Sequence, residues 1–190
     1  MWTPKRTENV LVTDSERTLY LKRDPASLYH AFQWPEDARH GIDKSGHFPI
    51  AVARQTYSDQ GYECWISARH NEVCPSYLLE RLPDIGQKDR DPAYCKIEEE
   101  FGSQALKQLH AEAADKRRQS ELRAAGGDPD LFVKNLSDPT DRFFVEVKLA
   151  NPARSYRDKP NVQQELLFPL IEEILKCDVR LFVVTVSARL

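Results

Sequence analysis

Gly126 to Lys148 restricts this chain more than any other stretch. It reads Gly-Gly-Asp-Pro-Asp-Leu-Phe-Val, then a polar turn from Asn135 to Asp141, then Arg-Phe-Phe-Val-Glu-Val-Lys. Two short apolar runs, bounded by Gly/Pro on one side and broken by Ser137-Asp138-Pro139, predict a β-hairpin with Leu131 to Val133 on one arm and Phe143 to Val147 on the other. Strand side chains alternate faces, so Phe143, Val145 and Val147 share an apolar face. Phe144, Glu146 and Lys148 share the other, which ends in a carboxylate and an amine. At the rise of an extended strand Glu146 and Lys148 stand about 7 Å apart, close enough to converge on one substrate group. Asp130, placed by the φ-fixing ring of Pro129, adds a second carboxylate beside Glu146 on the neighbouring arm. Two adjacent carboxylates repel, and a divalent cation is the usual reason to put them together.

Around the hairpin the chain is long enough for one good core. It has 190 residues, 41% of them hydrophobic and 30% charged, and no apolar run approaches the length of a bilayer span. The start, Met-Trp-Thr-Pro-Lys-Arg, has no secretory apolar stretch, so a cytoplasmic location is expected. The net charge of -3 excludes gripping long nucleic acid by bulk charge; any such binding must rest on a local basic strip and on metal in an acidic pocket. Cys64, Cys74, Cys95 and Cys177 have no CxxC spacing, and free buried thiols are expected over a zinc site built from Cys64, His70, Cys74 and Cys95. His40, Asp43 and His47 fall in a Gly-bearing loop and are read as exposed loop residues rather than ligands.

Residues 1–93 read as an amino-terminal extension. Val10 to Val12 and Thr18 to Leu21 are strand-like, Phe48 to Gln60 is helical with Ile50, Ala53 and Tyr57 on one face, Gly61 stops it, and Tyr62 to Ser67 is strand-like again. That helix-glycine-strand unit fits either a piece of the sheet or an elaboration that recognises substrate. Residues 94–190 are patterned more clearly. Ile97, Phe101, Ala105, Leu109 and Ala113 form one stripe, which predicts a single long helix from Cys95 to about Ala124. Lys116, Arg117, Arg118 and Arg123 make a basic patch near its end. A loop carrying Arg154, Tyr156, Arg157 and Lys159 leaves the second hairpin arm where a phosphate backbone could be steered. Asn161 to Cys177 is helical despite Pro169, with Gln164, Leu167, Phe168 and Ile171 inward, and Arg180 to Val186 reads as a strand covered on both faces. The fold class expected is α/β, a small mixed sheet flanked by helices.

A Pro-Asp followed by apolar residues, a turn, then apolar-Glu-x-Lys resembles the signature of the PD-(D/E)XK nuclease superfamily. Gly127-Asp-Pro-Asp-Leu131, Phe144-Val-Glu-Val-Lys148 and a downstream Gln resemble its VRR-NUC group most. In place of that group's Asp-x-x-Ser-x-x-Gln, the chain has Asp158-Lys-Pro-Asn161-Val-Gln-Gln164, exchanging one good helix N-cap for another. The resemblance covers roughly residues 96–188 and implies a restriction-endonuclease-like core that hydrolyses phosphodiester bonds in DNA with Mg²⁺ or Mn²⁺. It implies that Asp130, Glu146, the Val147 carbonyl and a helix carboxylate, Glu98 before Glu99, hold the metal. Lys148 would orient or deprotonate the attacking water, and Gln164 would position Lys148 or the water. Arg154, Arg157 and Lys159 would contact phosphates. A small chain with one site needs either two visits or a two-fold dimer to cut both strands, and a homodimer is expected. The competing reading is a nucleic-acid-binding or regulatory protein that keeps the fold without the chemistry.

Overall fold

The computed structural model describes residues 2–17, 44–66, 92–120, 127–152, 156–157 and 159–187. Along the chain these form β1 (Thr7–Thr13), α1 (Lys44–Asp59), β2 (Tyr62–Ile66), α2 (Pro92–Phe101), α3 (Ser103–Gln119), β3 (Leu131–Asn135), β4 (Arg142–Asn151), β5 (Tyr156–Arg157), α4 (Val162–Ile174) and β6 (Val179–Ser187). One mixed sheet holds all the strands, in the order β1-β6-β4-β3-β2, with the short β5 beside the end of β4. The hairpin arms β3 and β4 are antiparallel with Leu131 opposite Val145, whereas β4 and β6 are parallel with Glu146 opposite Leu181. A parallel pair needs a crossover, and α4 supplies it.

The alternation read from the sequence becomes two cores, one on each side of the sheet. Phe132 and Phe144 point toward α2, α3 and α4, where they pack with Ile97, Leu109, Leu167, Phe168 and Ile171. Leu131, Val133, Phe143, Val145 and Val147 point the other way, against Phe48, Ile50, Ala53 and Tyr57 of α1. Phe132, Phe143 and Phe144 have no exposed surface. Burial of each such ring stabilises the fold by about 1.5–3 kcal/mol, which ties the hairpin to both layers.

The amino-terminal half is part of this sheet. β1 runs parallel to β6 on one edge, β2 lies antiparallel to β3 on the other, and α1 covers the face between them. The α1-Gly61-β2 unit is therefore a piece of the sheet, and the division at residue 93 does not separate two cores. The strand-like Thr18 to Leu21 and the loop from His40 to Asp43 lie outside the described residues.

The single long helix expected from Cys95 is instead two helices. The backbone leaves helical geometry at Gly102, with φ 80°, and restarts at Ser103. The stripe itself is real: Ile97, Leu109 and Ala113 are buried, and Phe101 and Ala105 pack against the same cluster. Periodicity identifies the buried face but does not register a break that keeps that face in phase. Residues 121–126, including Arg123, are not among those described. α4 begins at a full capping box, in which Asn161 accepts from the Gln164 amide and Gln164 reaches back to the Asn161 amide. It continues through Pro169, whose ring is exposed.

Candidate active site

The regular pairing of β3 with β4 ends at Leu131 and Val145. Phe144 donates its amide to Asp178 on the β6 side, so the amides of alternate residues, Val147 among them, point toward β3. With no backbone carbonyl paired there, the Val147 N–H donates to Asp130 Oδ2 at 2.8 Å. The Asp130 carboxylate thus takes the place of a main-chain acceptor and is locked beside β4. Continuing the register puts Asp130 directly across from Glu146, with Cβ atoms about 5 Å apart. The Val147 carbonyl faces the same side as its amide.

Glu146 is 1% exposed. Its Oε1 accepts from Lys148 Nζ at 2.5 Å and from Gln164 Nε2 at 2.7 Å. Its Oε2 is buried and has no hydrogen-bond partner among the described residues. Gln164 is held in turn: its Oε1 accepts from the Asn161 amide at 2.9 Å and from Lys148 Nζ at 3.3 Å. The α4 capping box therefore sets the orientation of the Gln164 side chain, oxygen toward the helix start and nitrogen toward Glu146. Burial pushes the Glu146 carboxyl well above the ordinary carboxylate range, and the Asp130 charge pushes it the same way, against the opposing pull of Lys148 and Gln164. A carboxylate held in this state, with one oxygen saturated and the other unsatisfied, is stabilised by any cation that reaches Oε2.

The structure thus brings Asp130, Glu146, Lys148 and Gln164 together at the open end of the hairpin. All are buried, with exposures of 8% or less. Two of the helix carboxylates are engaged elsewhere. Glu100 is clamped to Lys134 at 2.6 Å and Arg142 at 2.8 Å, near the turn end of the hairpin. Glu99 is exposed and pairs with Lys96. Glu98 is half-buried, and its carbonyl accepts from Gly102. Among the described residues no group of three or more His, Cys, Asp or Glu side chains converges as a cation site. Sequence reading missed the Glu100 clamp, since its partners lie 34 and 42 residues away and no local pattern announces them.

The outlying residues are less gathered. Lys159 is exposed; Arg157 lies on β5, and its side chain and all of Arg154 fall outside the described residues. Lys116, Arg117 and Arg118 occupy the last turn of α3, where cations suit the helix dipole, and Arg118 pairs with Asp115. Cys64 and Cys177 are buried thiols pushed up to about 12 by that burial, and Cys95 is exposed. His70 and Cys74 are outside the described residues. No described helix is long and apolar enough to cross a membrane.

The donor set suits a hard divalent cation. Two carboxylates with oxygen-only chemistry face each other, and the orphaned Oε2 of Glu146 is the atom such an ion would satisfy. Compared with protein-family profiles, with characterised proteins and with solved structures, the chain matches none of them.

Proposed function

We propose that the chain is a metal-dependent phosphodiester hydrolase, and more particularly a DNA nuclease of PD-(D/E)XK type with a VRR-NUC-like, restriction-endonuclease-like core. The observation that carries this reading is the buried Glu146 with an unsatisfied Oε2, beside Asp130 and in contact with Lys148 and Gln164. An ordinary fold gains little by burying a carboxylate pair with an unpaired oxygen, because Lys148, Gln164 and the Val147 amide offset only part of the desolvation and repulsion. The strand order supports it further, since the motif-bearing hairpin is followed by a helix crossover to an interior strand, β6, that lies parallel to β4.

In this reading Asp130 and Glu146, with the Val147 carbonyl, hold Mg²⁺ or Mn²⁺. A bound cation of this kind offsets charge on phosphoryl oxygens and lowers the pKa of water. Lys148 lies with its Nζ against Glu146 and would offer a proton-transfer or charge-stabilising group at the reacting phosphate. Gln164 holds Glu146 and Lys148 in register by bonding both. Lys159, with Arg154 and Arg157, is assigned to phosphate contacts.

The test pairs calorimetric titration of Mg²⁺ and Mn²⁺ with cleavage of a panel of labelled duplex, flap, junction and single-stranded DNA. Wild type should bind the cation and cut at least one substrate, and Glu146→Gln should lose both properties. Cation binding without cleavage of any substrate would favour the binding-protein reading. Undiminished cleavage by Glu146→Gln would remove the site assignment altogether.

A further inference from the structure

Strand β1 ends the described sheet. It is seven residues long and pairs on one side only, with β6. The Leu181 amide donates to the Arg6 carbonyl at 3.0 Å, so Arg6, Glu8, Val10 and Val12 direct their backbone groups to β6. Thr7, Asn9, Leu11 and Thr13 direct theirs outward. The Thr13 amide is already used, donating to Glu16 Oε2 at 2.8 Å. Among the described residues an open ladder remains on Thr7, Asn9 and Leu11.

Natural edge strands guard such a ladder with Lys, Pro, a bulge or a charge on the exposed surface. Between Thr7 and Thr13 there is no Lys, Arg, Pro or Gly. The one charged side chain, Glu8, is turned to the α1 side, where it accepts from Tyr57 at 3.0 Å and meets Arg6 at 3.4 Å. On the opposite face Leu11 is 68% exposed. The edge is thus unguarded and carries an apolar side chain in its middle.

We infer that this edge pairs with β1 of a second copy of the chain, antiparallel and about a two-fold axis at Asn9. The free groups fix that register. Asn9 then faces Asn9, and Thr7 of each copy faces Leu11 of the other, so every open amide and carbonyl on those residues is satisfied on both strands. No like charges are opposed, because Glu8 falls opposite Val10 and Arg6 opposite Val12. Leu11 gains the Thr7 methyl of the other copy. The axis is perpendicular to the sheet, so the Glu146 cluster of each copy lies on the same face of one continuous sheet, about 24 Å apart across the strands. A single strand pair is at the small end of specific interfaces, and the dimer is expected to dissociate at a concentration on the order of 10 µM.

The dimer does not depend on the nuclease reading, and its test is a mass. Sedimentation equilibrium of the full chain should give monomer at low and dimer at high concentration. Asn9→Pro removes an outward amide and no bond to β6, so it should keep the circular dichroism of wild type and weaken the dimer about tenfold or more. Leu11→Lys, which changes no backbone group, should do the same by setting a charged, strongly hydrated edge side chain against Thr7 of the other copy. It carries the test if the proline variant fails to fold. A wild type that stays monomeric into the hundred-micromolar range overturns the inference, as does dimerisation of Leu11→Lys as tight as that of wild type.

Discussion

Gly127 is where the hairpin and the crossover helix touch, and replacing it by Ala probes the site without touching any of its polar groups. Its φ is +96°, and an added Cβ would stand 3.2 Å from both Gln163 Cβ and Leu167 Cδ1 on α4. Gln163 Cβ is fixed to the helix backbone and cannot swing aside, so the first turn of α4 must give by a few tenths of an ångström. Two costs add: about 1–2 kcal/mol for a side chain at positive φ and about 1–3 kcal/mol for overpacking, together about 2–5 kcal/mol. Gly61→Ala isolates the first, because Gly61 has φ +84° and nothing within 4 Å of an added Cβ. Urea melts of the two variants should therefore differ by the packing cost, with Gly127→Ala the less stable at unchanged m-value. That turn also carries Gln164, so cleavage should fall about tenfold even where the variant is fully folded. Equal stability losses at the two glycines, or full activity in folded Gly127→Ala, would show that the contact does not set the position of α4.

Other outcomes follow from the site. Glu146 has a carboxyl raised above its ordinary value of 4.5, so the fold holds that proton more tightly than the unfolded chain does. This contribution is fully present below about pH 4.5 and is lost as pH rises through the folded value, so metal-free protein should lose stability over that rise. Glu146→Gln should lack that part of the slope; parallel pH profiles for the two proteins in chelator would contradict the shift. Lys148→Ala should cut the cleavage rate by about 10² or more while DNA affinity stays within a few-fold, as read by single-turnover rates and equilibrium binding. Neutralising Arg154, Arg157 and Lys159 together should flatten the dependence of log K on log salt by about 0.9 for each phosphate they neutralise in the wild type, and an unchanged slope would exclude them from the interface. Glu100→Ala strands Lys134 and Arg142 at the hairpin turn and should cost about 1–3 kcal/mol in a thermal melt with the carboxylate pair untouched; a loss below about 0.5 kcal/mol would mean that the clamp is only solvated surface.

The hairpin and the alternation within it are legible in the amino acids alone. Period-two patterning and the Ser137-Asp138-Pro139 turn are local, so they specify which face Phe143 and Glu146 occupy before any partner is known. The Asn161 to Gln164 cap is legible for the same reason, as is the unpatterned β-branched run of β6, which needs cover on both faces. Other features depend on groups distant along the chain and are set only when it folds. The place of β1 and β2 in the sheet rests on pairing with β6 and β3, more than sixty residues away in each case. Glu98, Glu99 and Glu100 are adjacent and chemically equivalent in the sequence. The break at Gly102 and the approach of Lys134 and Arg142 separate them, turning Glu100 to the hairpin and leaving Glu99 in solvent. The same holds for the unsatisfied Oε2 of Glu146: the residue type is in the sequence, but burial is a property of what packs around it, and burial is what makes that oxygen costly.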